Sequence, residues 1–541
     1  MTGKLRALFL GSGLGCLLAW SVSAVAGPSG WIPQGDPYGI FSESCESESL
    51  EEALLNKPLT RTQERKVLKE FFDRCGPHLN RFSKNAVDDL FRDLQARYDY
   101  TQHPDYQRIQ IPSVDGLKIP GDLFLKDQDE ALPLIIIKCG VFCNLGDASL
   151  RHMIAHFYDE GPFHVLAISN STGMDFQMAN GVVSAGGLEE GRQLIQIAKY
   201  LLSDDNPFRF RIQSLHLVGI SLGGNAGLFT SLFNSVELQT RDRPYFDSIQ
   251  VGCPVVDLEA SIRNLFQPTT LGIFAHGKFT SQMSQIYPYV PVLKSLWPNP
   301  SVLPTLEEVP WLISHGALDY EKEKQARGVE YPQPLTGLRI NSVDEYWRLH
   351  RFQDWARFVR FPTFIWSTAD DAVVPASLNS DRLEAAIAGE KTGLEVLKTP
   401  KGFHCNFASS YGWRQAGTVF RSLVLSQSSM SLSRELRSFR FDSVDQLQSG
   451  ERRVAYRFEL WRGNLSLKDY RRPAGCQSSE CTRATPISVS WADVGLQEPR
   501  NEIEAQARIR FLNAHVRLKG LGGASLRSTE SPSFIQITHY R

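Results

Sequence analysis

Leu215-His-Leu-Val-Gly219-Ile-Ser221-Leu-Gly223-Gly-Asn225 is the stretch on which the reading of the chain turns. An apolar run enters Gly219-Ile220-Ser221-Leu222-Gly223, and a helical pattern follows over Gly224–Phe233. A serine hydroxyl is a weak nucleophile and must project from a sheet edge to meet a base. The turn that projects it is sharp and strained. Gly219 and Gly223 stand where a Cβ would meet the neighbouring strand and helix, and the helix behind offers unpaired N–H groups.

Outward from Ser221, the partners come in the order serine, acid, histidine. Phe361–Ser367 reads as a strand running into Thr368-Ala-Asp370-Asp371-Ala-Val-Val-Pro375. An acid just past a strand end can accept the imidazole N–H and fix its tautomer. Asp370 and Asp371 are both candidates, and adjacent residues do not normally both face one histidine. The spacing to Pro362 and to Val373-Val374-Pro375 favours Asp371, which leaves Asp370 to a turn or a cap. His404 follows the last strand in Lys401-Gly402-Phe403-His404-Cys405 and is placed to act as general base. His216 falls inside the nucleophile strand and reads as a core residue. An oxyanion needs two backbone N–H donors. Leu222 supplies one; Val141 or Phe142, in the loop Cys139–Cys143 after Leu134–Lys138, supplies the other. Gly140 lets that backbone come close.

Further outward the strands continue. Arg108–Val114 and Lys118–Leu125 alternate around Asp115-Gly116, a hairpin signal. Leu134–Ile137, His164–Ile168, Ser248–Gly252, Thr363–Trp366 and Leu394–Leu397 read as strands, with helices at 187–202 and near 377–388. Such alternation predicts an α/β fold with a mostly parallel central sheet over 108–429. Residues 258–350 lack strand signals and predict a helical cap insertion. Residues 27–107 predict an N-terminal helical segment, with one helix from a capping box at Thr60 to about Arg74, stopped by Gly76-Pro77, and another from Ser83 to about Tyr98. Residues 430–541 predict a small β-rich domain from short runs at Val454–Leu460, Ile487–Trp491, Ala507–Phe511 and Phe534–Thr538.

The 541 residues carry 58 Lys+Arg against 59 Asp+Glu, 42% hydrophobic residues, 41 Gly and 29 Pro. Those values fit a globular protein and exclude collagen-like or low-complexity classes. A net charge of −1 speaks against a nucleic-acid binder. Residues 1–26 read as a secretory signal peptide, from Lys4 and Arg6 through an apolar stretch to Ala24-Val25-Ala26. Export then places the chain in a periplasmic or secreted setting. Without Cys16, eight cysteines remain for disulfides. Cys139/Cys143 and Cys476/Cys481 are close in sequence, Cys45/Cys75 flank a helical stretch, and Cys253/Cys405 complete the set. Connectivity stays open. No cysteine and histidine spacing fits a metal site, and no cofactor is implied. Residues 434–541 hold 18 Lys+Arg against 12 Asp+Glu, a surplus suited to peripheral contact with an anionic envelope.

These motifs resemble the α/β-hydrolase superfamily. More narrowly, Gly219-Ile-Ser-Leu-Gly-Gly-Asn225, Val343-Asp-Glu-Tyr-Trp347 with Arg360-Phe-Pro-Thr-Phe-Ile and Asp370-Asp371, and Gly402-Phe-His-Cys-Asn-Phe407 resemble its YheT-like branch, which includes plant embryogenesis-associated hydrolases. The similarity covers about 108–425. It departs at Cys139-Gly140, at Asn170-Ser-Thr-Gly173 where that branch has Asn-x-Arg-Gly, and at Phe403. The resemblance implies a serine esterase acting on a small-molecule or lipid ester; the leader, the export signal and the basic tail lie outside it. An acyltransferase or peptidase would use the same triad, and a non-catalytic envelope-binding protein would use the tail. The aromatic residues Phe266, Phe274, Phe279, Tyr287, Tyr289 and Trp297 belong either to the cap core or to an acyl pocket.

Overall fold

The apolar run Leu132–Lys138 forms a strand, β3, buried along its whole length. Leu134 and Ile136 enter one hydrophobic core, and Ile135 and Ile137 enter another on the opposite face. A strand whose side chains alternate between two cores has no solvent face, which is why its sequence is continuously apolar. The computed structural model describes residues 61–79, 100–113, 115–126, 132–159, 161, 163–203, 205–241, 244–405, 417 and 419–424, and the backbone of six further strands between 439 and 539.

Around β3 lie β1 (Tyr106–Pro112), β2 (Lys118–Phe124), β4 (His164–Ile168), β5 (Ile212–Ile220), β6 (Ser248–Gly252), β7 (Thr363–Thr368) and β8 (Leu394–Thr399). Their order is β1-β2-β4-β3-β5-β6-β7-β8. The hairpin β1/β2 and the pair β2/β4 are antiparallel, and every later pairing is parallel. The chain passes from β3 outward to β4, then returns to add β5 on the other side. The direction of winding therefore reverses between β3 and β5, where open α/β sheets leave a crevice beyond their carboxyl ends.

One face is covered by the helices Gly187–Leu201 and Leu222–Arg241, the other by Arg61–Leu79, Ala148–Ile154 and residues 419–424. Phe72 packs on the buried Trp366 of β7 with ring centroids 4.9 Å apart. The helix Arg61–Leu79 corrects one expectation: it runs through Gly76-Pro77 rather than stopping there. The proline sits two residues from the helix end, so its missing N–H costs one hydrogen bond and the last turn survives. The helix expected over Ser83–Tyr98 and the signal peptide over 1–26 lie outside the described residues.

Between β6 and β7 the chain forms five helices and no strand: Leu258–Leu265, Thr270–Ile286, Pro291–Leu296, Glu308–Ala326 and Val343–Leu349. Asp257, Thr269 and Ser342 start three of them by accepting from the N–H groups of Ala260, Gly272 and Glu345. This insertion is tied to the sheet domain by a buried ionic cluster. Glu189 bonds Arg192 at 2.5 Å and Lys324 at 2.6 Å, Lys324 bonds Glu321 at 2.8 Å, and Arg192 also pairs with Asp115. Towards the C-terminus, Phe439–Leu447, Gly450–Trp461 and Asn464–Asp469 form one antiparallel sheet. Ile487–Ser490, Ala524–Ser528 and Phe534–His539 form another. The run Ala507–Phe511 lies outside the described residues.

Candidate active site

β5 ends at Ile220, and the helix Leu222–Arg241 begins immediately after Ser221. Ser221 alone makes the turn, at φ 58°, in a left-handed conformation that a serine adopts only under constraint. Its N–H donates to the Gly252 carbonyl at 2.9 Å, and its carbonyl accepts from Asn225 N–H at 3.1 Å. A Cβ on Gly223 would collide with the carbonyls of Lys138 and Cys139, and one on Gly219 with the carbonyl of Gly223. Both glycines are therefore dictated by backbone meeting backbone.

Three side chains from separate strand ends meet here. His404 Nε2 lies 2.9 Å from Ser221 Oγ, and its Nδ1 lies 2.9 Å from Asp371 Oδ2. Asp371 is buried, and its Oδ1 accepts from the N–H groups of Val373 and Val374 at 2.9 and 2.7 Å. These bonds fix the carboxylate against the imidazole, with Oδ2 the nearer oxygen and Oδ1 at 3.2 Å from the same Nδ1. Asp370 points elsewhere: its Oδ1 accepts from Phe403 N–H at 2.9 Å and braces the loop that carries His404. The geometry separates the two adjacent acids that the sequence left as rivals.

The loop Cys139–Cys143 packs directly on Ser221. A Cβ on Gly140 would stand 2.9 Å from Ser221 Cβ and 3.2 Å from its Oγ, so a larger residue would displace the hydroxyl. Of the two candidate donors in this loop, Phe142 N–H is taken by Thr172 Oγ1 at 2.7 Å. Val141 N–H meets no acceptor among the described residues, and Leu222 N–H stands in the first turn of the helix, where backbone donors have no partner within the helix.

Two disulfides flank the site. Cys139–Cys143 closes the loop after β3, and Cys253–Cys405 joins the end of β6 to the residue after His404. Phe142, Ser221, Cys253, Phe403 and Cys405 are the five non-glycine residues with positive φ among the described residues. Each costs about 1–3 kcal/mol; four of them sit on the segments these disulfides join, and the fifth is Ser221 itself. Cys253, His404 and Cys405 offer their ligand atoms within 4.8 Å of one another. With both sulfurs bonded to each other, that set does not fit a metal ion.

A narrow, mostly apolar slot opens on Ser221, lined by Val141, Phe142, Leu258, Ile262, Phe266 and Ile313 among others. The aromatic residues of the insertion divide. Phe279 stacks between Phe142 and Phe266 at 5.8 and 5.9 Å, and with Phe266 belongs to the slot region. Tyr287 and Trp297 pack edge to face at 5.8 Å within the cap. Phe274 and Tyr289 face outward. A larger, charged cleft bordered by Asp257, Arg263, Arg351 and Arg382 holds none of the predicted site residues. Its arginines are engaged by Asp257 and Glu259.

The sheet order, the Ser221 turn at its winding reversal and the insertion before β7 define an α/β-hydrolase fold. No family model matches the chain, and no curated protein matches it. Among solved structures it aligns with a puromycin-hydrolysing peptidase from Mycobacterium tuberculosis, at 16% identity over 60% of this chain and 39% of that one, with a TM-score of 0.36. It also aligns with the Pyrococcus furiosus esterase Pf2001, at 12% identity over 60% and 92% of the chains and a TM-score of 0.34. A 2,6-dihydroxy-pseudo-oxynicotine hydrolase gives 14%, 70% and 80%, and 0.35. The chain thus covers 39% of the length of the first of these.

Proposed function

We propose that this chain is a serine hydrolase that cleaves carboxylic esters with an apolar acyl part. The observation that carries the reading is His404, which contacts Ser221 Oγ through one ring nitrogen and Asp371 through the other, each at 2.9 Å. Asp371 accepts a hydrogen bond from Nδ1–H, which keeps the proton on Nδ1 and leaves Nε2 as the base. Nε2 takes the Ser221 proton as Oγ attacks the ester carbonyl. Negative charge develops on the carbonyl oxygen, where Val141 and Leu222 N–H groups receive it. The imidazolium then protonates the leaving alcohol. Water, deprotonated by the same nitrogen, releases the acid and restores Ser221.

The slot supports an apolar acyl group, since its wall next to Ser221 is built almost wholly of aliphatic and aromatic side chains. The YheT-like resemblance supports the same reading. Export is part of the proposal, favoured by the signal-peptide pattern and by two disulfides at the catalytic loops. The basic C-terminal region would then lie toward an anionic envelope surface. The test is a panel of nitrophenyl esters of increasing chain length, with Ser221→Ala as control. Turnover that rises from acetate into medium chains and vanishes in the variant is the expected result. Equal turnover in both proteins would refute the reading.

A further inference from the structure

Resting on that reading, we propose that Thr172 is a positioning residue for the oxyanion hole: its hydroxyl holds Phe142 N–H and thereby presents Val141 N–H to the substrate. Thr172 lies in Asn170-Ser-Thr-Gly173, directly beyond β4. Its Oγ1 accepts from Phe142 N–H at 2.7 Å and donates to Asn170 Oδ1 at 2.6 Å, and its own N–H donates to the same oxygen at 2.9 Å. Asn170 grips both ends of the five-residue loop. Its Nδ2 donates to the Cys139 carbonyl at 3.1 Å, and its backbone N–H donates to the Cys143 carbonyl at 3.3 Å.

The grip is anchored from below. Asn170 Nδ2 also reaches Glu190 Oε2 at 3.2 Å, and Ser171 N–H donates to Glu190 Oε1 at 2.6 Å. Lys138 Nζ, at the end of β3, pairs with that same carboxylate at 3.0 Å and donates to the Ser169 carbonyl at 2.7 Å. Lys138, Asn170, Thr172 and Glu190 are all buried, so each bond forms where water cannot substitute for it. From above, Gln282 of the cap donates to the Thr172 carbonyl. Thr172 therefore joins the cap, the loop and the sheet.

Phe142 is held at φ 58°, a conformation that does not persist without an outside tie. The Thr172 hydroxyl is the tie on the Phe142 N–H, while Asn144 Nδ2 holds the Phe142 carbonyl at 3.3 Å and the Cys139–Cys143 bond closes the loop. Without that hydroxyl, Phe142 N–H loses its acceptor, the loop relaxes, and Val141 N–H swings off the line to the oxyanion. Such a loss strikes the transition state and spares ground-state binding, because the charge it serves exists only during reaction.

The experiment compares Thr172→Val, which replaces the hydroxyl by a methyl, with Thr172→Ser, which keeps it. Expected for the valine variant is a roughly 10–100-fold fall in kcat at nearly unchanged KM, less than the loss of a whole donor. A trifluoromethyl ketone, which binds as an oxyanion, should weaken in parallel, while a product carboxylate should bind as before. The serine variant should stay within a few-fold of the parent. Thr172→Ala is the second arm, in case valine is not accommodated, and should match the kcat loss. Unchanged kcat in the valine or alanine variant, or an equal fall in serine and valine variants, overturns the proposal. Wild-type protein that resists fluorophosphonate labelling at Ser221 would overturn the hydrolase reading as well. Labelling of the wild type together with indifferent Thr172 variants removes this inference alone.

Discussion

Asp370 and Asp371 differ in one respect that decides their roles. Asp371 faces His404 Nδ1, whereas Asp370 accepts from the backbone of Phe403. Asp371→Asn should lower kcat by about 10⁴-fold, because the amide favours the wrong imidazole tautomer. Asp370→Asn keeps an acceptor oxygen for Phe403 and should cost less than about tenfold, within the ordinary effect of one neutral hydrogen bond. Steady-state kinetics on the two variants checks the assignment, and comparable losses would contradict it. Ser221, His404 and the acid pair were legible because a motif and a chain order announce them. Thr172 and Asn170 were not. Asn170-Ser-Thr-Gly173 stands out only as a departure from the Asn-x-Arg-Gly of the resembled branch, and nothing in its spacing says that its side chains reach back across 30 residues to another loop.

Strands were the most legible elements, since continuous apolar runs bounded by turns admit few other readings. β6 has the bounds the pattern gives, and β3 and β5 extend theirs by a few residues. The helix behind Ser221 begins at Leu222, two residues earlier than the pattern suggests, because Gly223 closes the Gly-x-Ser-x-Gly turn in sequence. In the fold Gly223 is helical like Gly224, and the missing side chains of both let the helix start touch the backbone of neighbouring segments. Gly223→Ala should therefore inactivate the protein and destabilise it by about 1–3 kcal/mol, the cost of overpacking, as read by denaturant unfolding. An active, fully stable variant would show that the helix start is looser than described. The Cys253–Cys405 bond spans 152 residues and pins the His404 loop to β6. Replacing both cysteines by serine should cost about 2–5 kcal/mol of stability and lower kcat more than it raises KM. Unchanged unfolding midpoints would argue against that tie.

Charged residues deep in the molecule are where sequence reading fails most completely. Asp115, Glu189, Arg192, Glu321 and Lys324 look like surface residues, yet they form one buried cluster between the sheet domain and the cap. Burial alone would raise the Glu189 carboxyl, but Arg192 and Lys324 outweigh it and hold it well below the usual carboxylate range. Burial also lowers His216 to about 3 and His350 to about 4. Both imidazoles stay neutral in the fold while the unfolded chain takes up protons near pH 6.5. The unfolded state then binds more protons, so stability falls as pH drops from about 6.5 toward 4, each histidine adding up to about 1.4 kcal/mol per pH unit. The Glu189 contribution is lost in turn as pH falls below the unfolded carboxylate range. Unfolding midpoints should hold nearly level from pH 8 to about 6.5 and decline from there to pH 4, and a flat profile over that lower range would contradict the buried neutral histidines. The measurement closest to the centre of the account is fluorophosphonate labelling of the folded protein, followed by peptide mapping. One adduct, on Ser221 and abolished by His404→Ala, is the expected result. A folded protein left unlabelled at Ser221 would contradict it.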